Sequence, residues 1–321
     1  MHLVFLTPHP EPQGGGRDFN AGLIPALRDL GHEVTLAQDL IGPMPHGAVP
    51  VVDGMVLPAQ EPGFDALLAH DPIAIIHHVS AAAGRDMARR DAVRAAEARM
   101  LPQMRRVVAT SAPVAERLHA EFGVVSPQVL HPGLPILPRS PPGPCRILCA
   151  AVLTPRKGHD ILLRAMARLT DLDWTLTLAG DARRDPAQAR TIDALLDELG
   201  LRSRVTITAD PAPAALEGAW RDATLFALAS QWEGWPAAVA EALRRGIPVA
   251  ALATPGITAL VPQSAGIVCA PGDLATWGKA LRRAIYDGDL RATFAEGAWS
   301  AGAALPGWPA QAAAFDTLLR S

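Results

Sequence analysis

The strongest constraint on this chain is an alternation that runs through almost its whole length. Short apolar runs are separated by amphipathic stretches of helical period, and a proline-rich segment breaks the pattern near the middle. Such runs, bounded by turn signals, are the pattern of βα units on a parallel sheet. In the first half the expected strands are HLVFLT, HEVTLA, IAIIHH, RRVVAT and PQVLHP. Between them lie helical stretches such as DFNAGLIPALRDLG, closed by Gly31 at an expected C-cap, and DMARRDAVRAAEARML. The segment HPGLPILPRSPPGP, His131 to Pro144, joins neither a helix interior nor a central strand, and marks a linker. The alternation then restarts with CRILCAAVL, WTLTLAG, RVTITA, TLFALA, IPVAAL and GIVCA. The expected fold class is α/β, with two doubly wound, Rossmann-like domains at residues 1–138 and 139–305 facing across a cleft. A C-terminal helix over 306–321 follows Pro306 and Pro309 and is free to pack back on the first domain. A chain of 321 residues, 49% of them hydrophobic, can fill two such cores.

A net charge of −3 argues against a general nucleic-acid binder, which needs a basic face to neutralise phosphates. Cys145, Cys149 and Cys269 fall in apolar runs, and three cysteines without ligand spacing support neither a disulfide framework nor a zinc site. No segment reaches the apolar length needed to cross a bilayer, and MHLVFLTPHP is too short for a signal peptide. The expectation is a cytoplasmic protein, with contact at the inner face of the membrane left open.

In open parallel sheets ligands bind beyond the carboxyl ends of the strands, where helix N-termini and loops converge. The unusual residues fall there: Gly14, Gly15 and Gly16 after the first strand, His77 and His78 at the end of the IAIIHH strand, Arg156 and Lys157 after CRILCAAVL, Gly180 and Asp181 after WTLTLAG, and Glu233 after TLFALAS. Arg156 and Lys157 immediately precede a helix, whose macrodipole disfavours cations at that end. They are read either as a phosphate anchor working with the backbone N–H groups of the helix start, or as a solvated basic turn. The three glycines permit close backbone approach to a ligand but match neither a Walker loop nor G-x-G-x-x-G, so a flexible loop is the equal alternative. If the strand continues through His77 and His78, the two point to opposite faces.

The stretch SQWEGWPAAVAEALRRGIPVAAL sets Glu233 in a loop and Glu241 inside the following helix, because Pro236 suits a first turn. Carboxylates accept hydrogen bonds from vicinal hydroxyls, so the pair suits a sugar on one side of a pyrophosphate and a ribose on the other. Acidic residues near a helix N-terminus also complement its dipole, which explains each glutamate separately.

With these residues in place, the sequence resembles the retaining glycosyltransferases of the GT-B fold, in particular the fourth sequence family, the glycosyl transferases group 1. The family block E-G-aromatic-P-x-x-x-x-E-A-x-x-x-G-x-P-V is met by EGWPAAVAEALRRGIPV, Glu233 to Val249, and its R-K-G element by PRKGHDILLRAM. The glycine-rich first loop, VATSAPVAERLHAEFGV and AGIVCAPGDLATWGKALRRAI are looser matches. The resemblance implies metal-independent transfer of a sugar from a nucleotide diphosphate donor, a UDP-sugar or GDP-sugar, to an acceptor hydroxyl with retention at the anomeric carbon, and no further cofactor. It implies that Lys157, with Arg156, binds the diphosphate and that Glu241 binds the ribose. Glu233 and the backbone of Gly234, Trp235, Pro236 and Ala237 hold the sugar, and His78 contacts it near the reacting carbon, with His77 as fallback. Gly15 and Gly16 lie by the donor, and Gly180, Asp181, Asp210 and Pro211 by the nucleobase.

Three departures bear on donor binding. Ala151 stands where many members carry an arginine, Ala209 where they carry a glycine, and Ala259 where they carry a glutamate. The competing functions are a non-catalytic sugar-nucleotide binder, a glycoside hydrolase using the two glutamates, and a sugar-nucleotide epimerase. The acceptor, whether glycan, glycolipid or small molecule, is not legible. The arginines of 84–104 (Arg85, Arg89, Arg90, Arg94, Arg99) suit either anionic headgroups or a solvated helix face.

Overall fold

The computed structural model describes residues 1–8, 16–38, 44–78 and 87–321, without the side chains of 16–18 and 87–89. The chain divides into two compact units, Met1–Pro135 with Pro306–Ser321, and Ile136–Leu305. Each is an α/β unit around a six-stranded, all-parallel sheet.

The first unit contains strands β1 (His2–Leu6), β2 (Glu33–Ala37), β3 (Val49–Asp53), β4 (Ile73–Ile76), β5 (Arg106–Ala109) and β6 (Gln128–Val129), in spatial order β2-β1-β3-β4-β5-β6. Helices α1 (Gly16–Asp29), α2 (Phe64–Leu68), α3 (Met87–Met100) and α4 (Ala112–Phe122) connect them. Helix α4 shows how local sequence sets an element. Ser111 caps it by accepting a hydrogen bond from Val114 N, and Gly123 ends it at φ +66°, a conformation that costs glycine least.

Strand β3 has no counterpart among the runs read from the sequence. Its segment VPVVD carries Pro50, which argues against an interior strand, yet β3 lies between β1 and β4. The ladder to β4 begins at Val51 paired with Ile73, one residue past the proline, so the missing N–H falls where β4 has not yet begun to pair. Strand β4 ends at Ile76, so His77 and His78 lie beyond the strand, in a bend, and the alternation of faces expected of them does not apply.

The second unit contains β7 (Arg146–Ala150), β8 (Thr175–Gly180), β9 (Val205–Ala209), β10 (Leu225–Leu228), β11 (Val249–Leu252) and β12 (Gly266–Cys269), in order β12-β11-β10-β7-β8-β9. Its helices are α5 (His159–Met166), α6 (Pro186–Glu198), α7 (Pro213–Asp222), α8 (Ala237–Arg244), α9 (Pro255–Leu260), α10 (Leu274–Tyr286) and α11 (Gly288–Ala303). The core is built on Ile147, Leu176, Phe226 and Val249 of the sheet, with Trp174, Trp220 and Trp277 fully buried around it. All three cysteines are free and buried, and burial pushes the Cys145 thiol up to about 11 and that of Cys149 up to about 12, so these thiols are protonated and inert.

The last helix, α12 (Trp308–Arg320), belongs to the first unit, where Ala312, Phe315 and Leu319 join Phe19, Leu23 and Leu27 of α1 in one buried cluster. Contact is close enough that a Cβ on Gly22 would stand 1.9 Å from the Trp308 ring. Residues 130–144, which include the proline-rich segment, carry neither helix nor strand.

Candidate functional site

A doubly wound sheet opens a crevice where the strand order reverses, and ligands gather at the carboxyl ends there. In the second unit the reversal lies between β7 and β10, which are neighbours in the sheet. The loop after β7 carries Arg156 and Lys157, and the loop after β10 carries Glu233. Topology alone therefore brings these three together across 76 residues of sequence.

The β7 loop is shaped by a short 3₁₀ turn, Pro155–Lys157, closed by Gly158 at φ +64° ahead of α5. A Cβ at Gly158 would stand 2.1 Å from the Ala229 carbonyl oxygen, so only glycine lets the two loops pack this closely. Gln231 N donates to Arg156 O at 2.8 Å, stitching one loop to the other. Lys157 Nζ then lies 2.5 Å from Glu233 Oε1, and Arg156 Nη1 lies 3.5 Å from the same oxygen while donating to Trp232 O at 2.6 Å. The Glu233 side chain is only 7% exposed, so its charge is neutralised within the protein. Gly256 N donates to Glu233 O at 3.0 Å, and a Cβ on Gly256 would stand 2.3 Å from Gly234 O. That helix-start glycine locks the loop, and sequence reasoning passed over it.

Glu241 sits in α8, as the spacing from Pro236 predicts, with Pro236 as the N-cap. It pairs with Arg245 at 3.0 Å. Asp181 and Asp210, at the ends of β8 and β9, are joined through Arg183, whose Nε lies 3.5 Å from Asp181 Oδ1 and 3.2 Å from Asp210 Oδ1. Burial opposes ionisation of Asp181, but bonds from the Arg183 N–H, Asp210 and the Arg183 charge outweigh it and hold the carboxyl below its usual range. Asp210 takes a left-handed conformation at φ +48°, followed by the half-buried Pro211. Gly180 has its own structural cause: a Cβ there would stand 1.9 Å from the carbonyl oxygen of Ala151, the residue that follows β7. Gly234 and Pro236 are buried, Trp235 is half-buried and Ala237 is exposed at the start of α8. Of the three departures, Ala209 and Ala259 are exposed and Ala151 is half-buried.

In the first unit, His77 Nε2 lies 3.2 Å from Asp53 Oδ2, and Asn20 Nδ2 donates to the same oxygen at 2.5 Å. Met55 N donates to Asp53 Oδ1 at 2.8 Å. Asp53 is 2% exposed and ends β3, the strand absent from the runs read in the sequence. His78 is half-buried beside this network. Gly14 and Gly15 lie outside the described residues, and Gly16 opens α1. On α3, Arg94 pairs with Glu121 at 2.8 Å and Arg99 pairs with Glu61, while Arg85 and the side chain of Arg89 lie outside the described residues. Among the described residues no His, Cys, Asp and Glu side chains gather in threes to hold a metal ion, and no helix is long and apolar enough to cross a membrane.

The second unit matches the family model described as glycosyl transferases group 1 over residues 138–300, about half of the chain. The protein belongs to that family. Among curated relatives it is similar to the D-inositol 3-phosphate glycosyltransferase of Xylanimonas cellulosilytica, 31% identical over 170 residues, 53% of this chain and 40% of the relative. A second, from Corynebacterium jeikeium, is 32% identical over 168 residues, 50% of this chain and 40% of the relative. The match thus spans about two-fifths of the length of these relatives. Among solved structures, sucrose-phosphate synthase from Thermosynechococcus elongatus superposes with a TM-score of 0.84 at 19% identity, covering 99% of this chain and 98% of that one. Anabaena HepE, in complex with UDP and glucose, does so with a TM-score of 0.78 at 17% identity, covering 100% and 99%. These likenesses are of fold, and the fold is the two-domain, Rossmann-like GT-B architecture.

Proposed function

We propose that this protein is a retaining glycosyltransferase that moves a sugar from a nucleotide diphosphate donor to an acceptor hydroxyl. The observation that carries this is the convergence of Lys157, Arg156 and Glu233 at the strand-order reversal of the second unit, within a chain of this family. A leaving diphosphate needs its growing negative charge stabilised more than it needs a strong base. The Lys157 ammonium and Arg156 guanidinium supply positive charge where the α5 N–H groups begin. Glu233, a carboxylate already desolvated, accepts hydrogen bonds from sugar hydroxyls when the ammonium turns to the diphosphate. Glu241 takes the ribose hydroxyls, and Asp181, Asp210 and Pro211 lie on the nucleobase side.

In the transfer, the bond from the anomeric carbon to the diphosphate oxygen breaks while a bond to the acceptor oxygen forms on the same face. The acceptor proton leaves to the departing phosphate. Nothing in this sequence of events calls on a metal ion, and we propose metal-independent transfer. UDP-sugars are the first donors to test, since the HepE structures hold UDP and UDP-glucose, and GDP-sugars the second. An acceptor panel that includes inositol phosphates follows from the names of the curated relatives.

Proton NMR of the reaction mixture tests the proposal. An α-linked donor is expected to give an α-linked product, with release of the nucleoside diphosphate only when acceptor is present. Release without acceptor at the same rate would make the protein a hydrolase. A β-linked product would overturn retention, and tight donor binding without turnover on any acceptor would make it a binder.

A further inference from the structure

Glu241 is held within a three-residue ionic cluster. Arg245, the C-cap of α8, has a side chain only 1% exposed. Its Nη2 donates to Glu241 Oε1 at 3.0 Å, and its Nε lies 3.3 Å from the same oxygen. Its Nη1 and Nη2 also donate to Oε1 and Oε2 of Glu217, on α7, at 2.8 and 2.6 Å, a two-pronged fork of fixed plane. The guanidinium stands 5.6 Å from the Trp220 ring, and Trp220 stacks on Phe226 of β10 at 5.5 Å and 11°. The Arg245 carbonyl accepts from Ser140 N at 2.9 Å, so both ends of the residue are fixed. Burial opposes the charge on Arg245, but bonds from Glu217 and Glu241 outweigh it and hold the guanidinium above its ordinary range. The fork from Arg245, opposed by partial burial, holds Glu217 below the usual carboxylate range.

An arginine one turn after a glutamate near a helix C-terminus is ordinary, as a surface pair that favours the dipole. That accounts for neither the fork to a second helix nor the burial. Sinking a guanidinium this far is costly unless its partners are held in good geometry. Here the geometry converges on Glu241, whose side chain remains 31% exposed. Both bonds from Arg245 fall on Oε1 and hold that oxygen in place.

We propose that Arg245, clamped by Glu217, is a positioning residue that fixes the Glu241 carboxylate for the ribose hydroxyls of the donor nucleotide. It acts through Glu241 and touches no substrate. A glutamate frozen before the ligand arrives binds without the loss of rotamer freedom that a mobile one incurs. This rests on the ribose role given to Glu241 above, and the experiment separates the two.

Isothermal titration with UDP, GDP and ADP identifies the nucleotide that wild type binds tightest, and its 2′-deoxy form is then titrated beside it. Wild type is expected to favour the ribonucleotide by about tenfold, the value of a hydrogen bond to a charged group. Arg245→Met and Glu217→Gln are expected to bring that ratio within about twofold to threefold by weakening the ribonucleotide alone, with Arg245→Lys recovering part of it. A structural role would weaken both nucleotides equally and leave the ratio intact, which overturns the proposal. Should Arg245→Met fail to fold, Glu217→Gln carries the test, since its side chain is half exposed. Glu241→Gln is the control. If it keeps the wild-type ratio, the ribose role of Glu241 falls; if it loses the ratio while Glu217→Gln and Arg245→Met keep it, only the positioning role falls. Binding of none of the three nucleotides at millimolar concentration removes the proposed function and this inference together.

Discussion

Replacing Lys157 with methionine tests the electrostatics of the site without any substrate. Methionine keeps most of the apolar stem and removes the ammonium 2.5 Å from Glu233 Oε1. The Glu233 side chain is 7% exposed, so its carboxylate has little water to turn to. Removing one partner of a fully buried pair costs about 3–5 kcal/mol, and an exposed pair about 0–1 kcal/mol. The pair here lies between these limits, because Lys157 is 15% exposed and Arg156 remains 3.5 Å from the same oxygen with Nη1 already given to Trp232 O. The expected loss is about 2 kcal/mol. Lys157→Met/Glu233→Gln should recover at least half of it, a coupling of about 1 kcal/mol in a double-mutant cycle. Urea unfolding followed by tryptophan fluorescence reads it, since Trp174, Trp220 and Trp277 are all buried in the second unit. The transition of that unit must first be resolved from the other. A loss below about 0.5 kcal/mol, the behaviour of a surface pair, or the absence of coupling, would refute the claim that the loops hold a desolvated carboxylate against Lys157.

Other outcomes follow from the same structure. Gly180→Ala drives a Cβ against Ala151 O at 1.9 Å and should destabilise the second unit by about 2 kcal/mol or more, read in the same unfolding curve; a neutral substitution would show that β7 and β8 part freely. Burial, helped by the Lys157 charge, pushes His159 down to about 4 from an ordinary value of 6.5. The unfolded chain then binds the extra proton first, so this histidine costs nothing above pH 6.5 and destabilises increasingly as pH falls towards 4, by up to about 3 kcal/mol. His159→Gln should flatten stability between pH 6.5 and 4, and an unchanged slope would contradict the assignment. With Arg94 and Arg99 of α3 already paired to glutamates, the protein should not sediment with anionic vesicles at low salt, and salt-sensitive sedimentation would restore α3 as a lipid-facing surface.

Much of this was legible because a parallel sheet turns strand ends into a site. Lys157 and Glu233 stood out by position, since each lies in the loop beyond the carboxyl end of a strand, and β7 and β10 are neighbours in the sheet, while their roles came from the resemblance. Gly180 was legible as a glycine at a strand end, but its cause is the Ala151 carbonyl and needs no ligand. Asp53 was lost with β3, because Pro50 disguises a strand whose second ladder starts one residue later. The opposite facing of His77 and His78 holds only if the strand runs through them, and β4 stops at Ile76. Arg245 and Glu217 were invisible for another reason. Their partnership joins two helices across 28 residues and depends on rotamers that no periodicity encodes.

The most direct test of the central claim, that Lys157 and the loops around it hold a nucleotide diphosphate, is calorimetric titration of UDP and GDP into wild type and Lys157→Ala. The account predicts one site per chain in wild type, and affinity at least tenfold weaker in the variant, the value of one charge-assisted hydrogen bond. Equal affinity in the two proteins would contradict it.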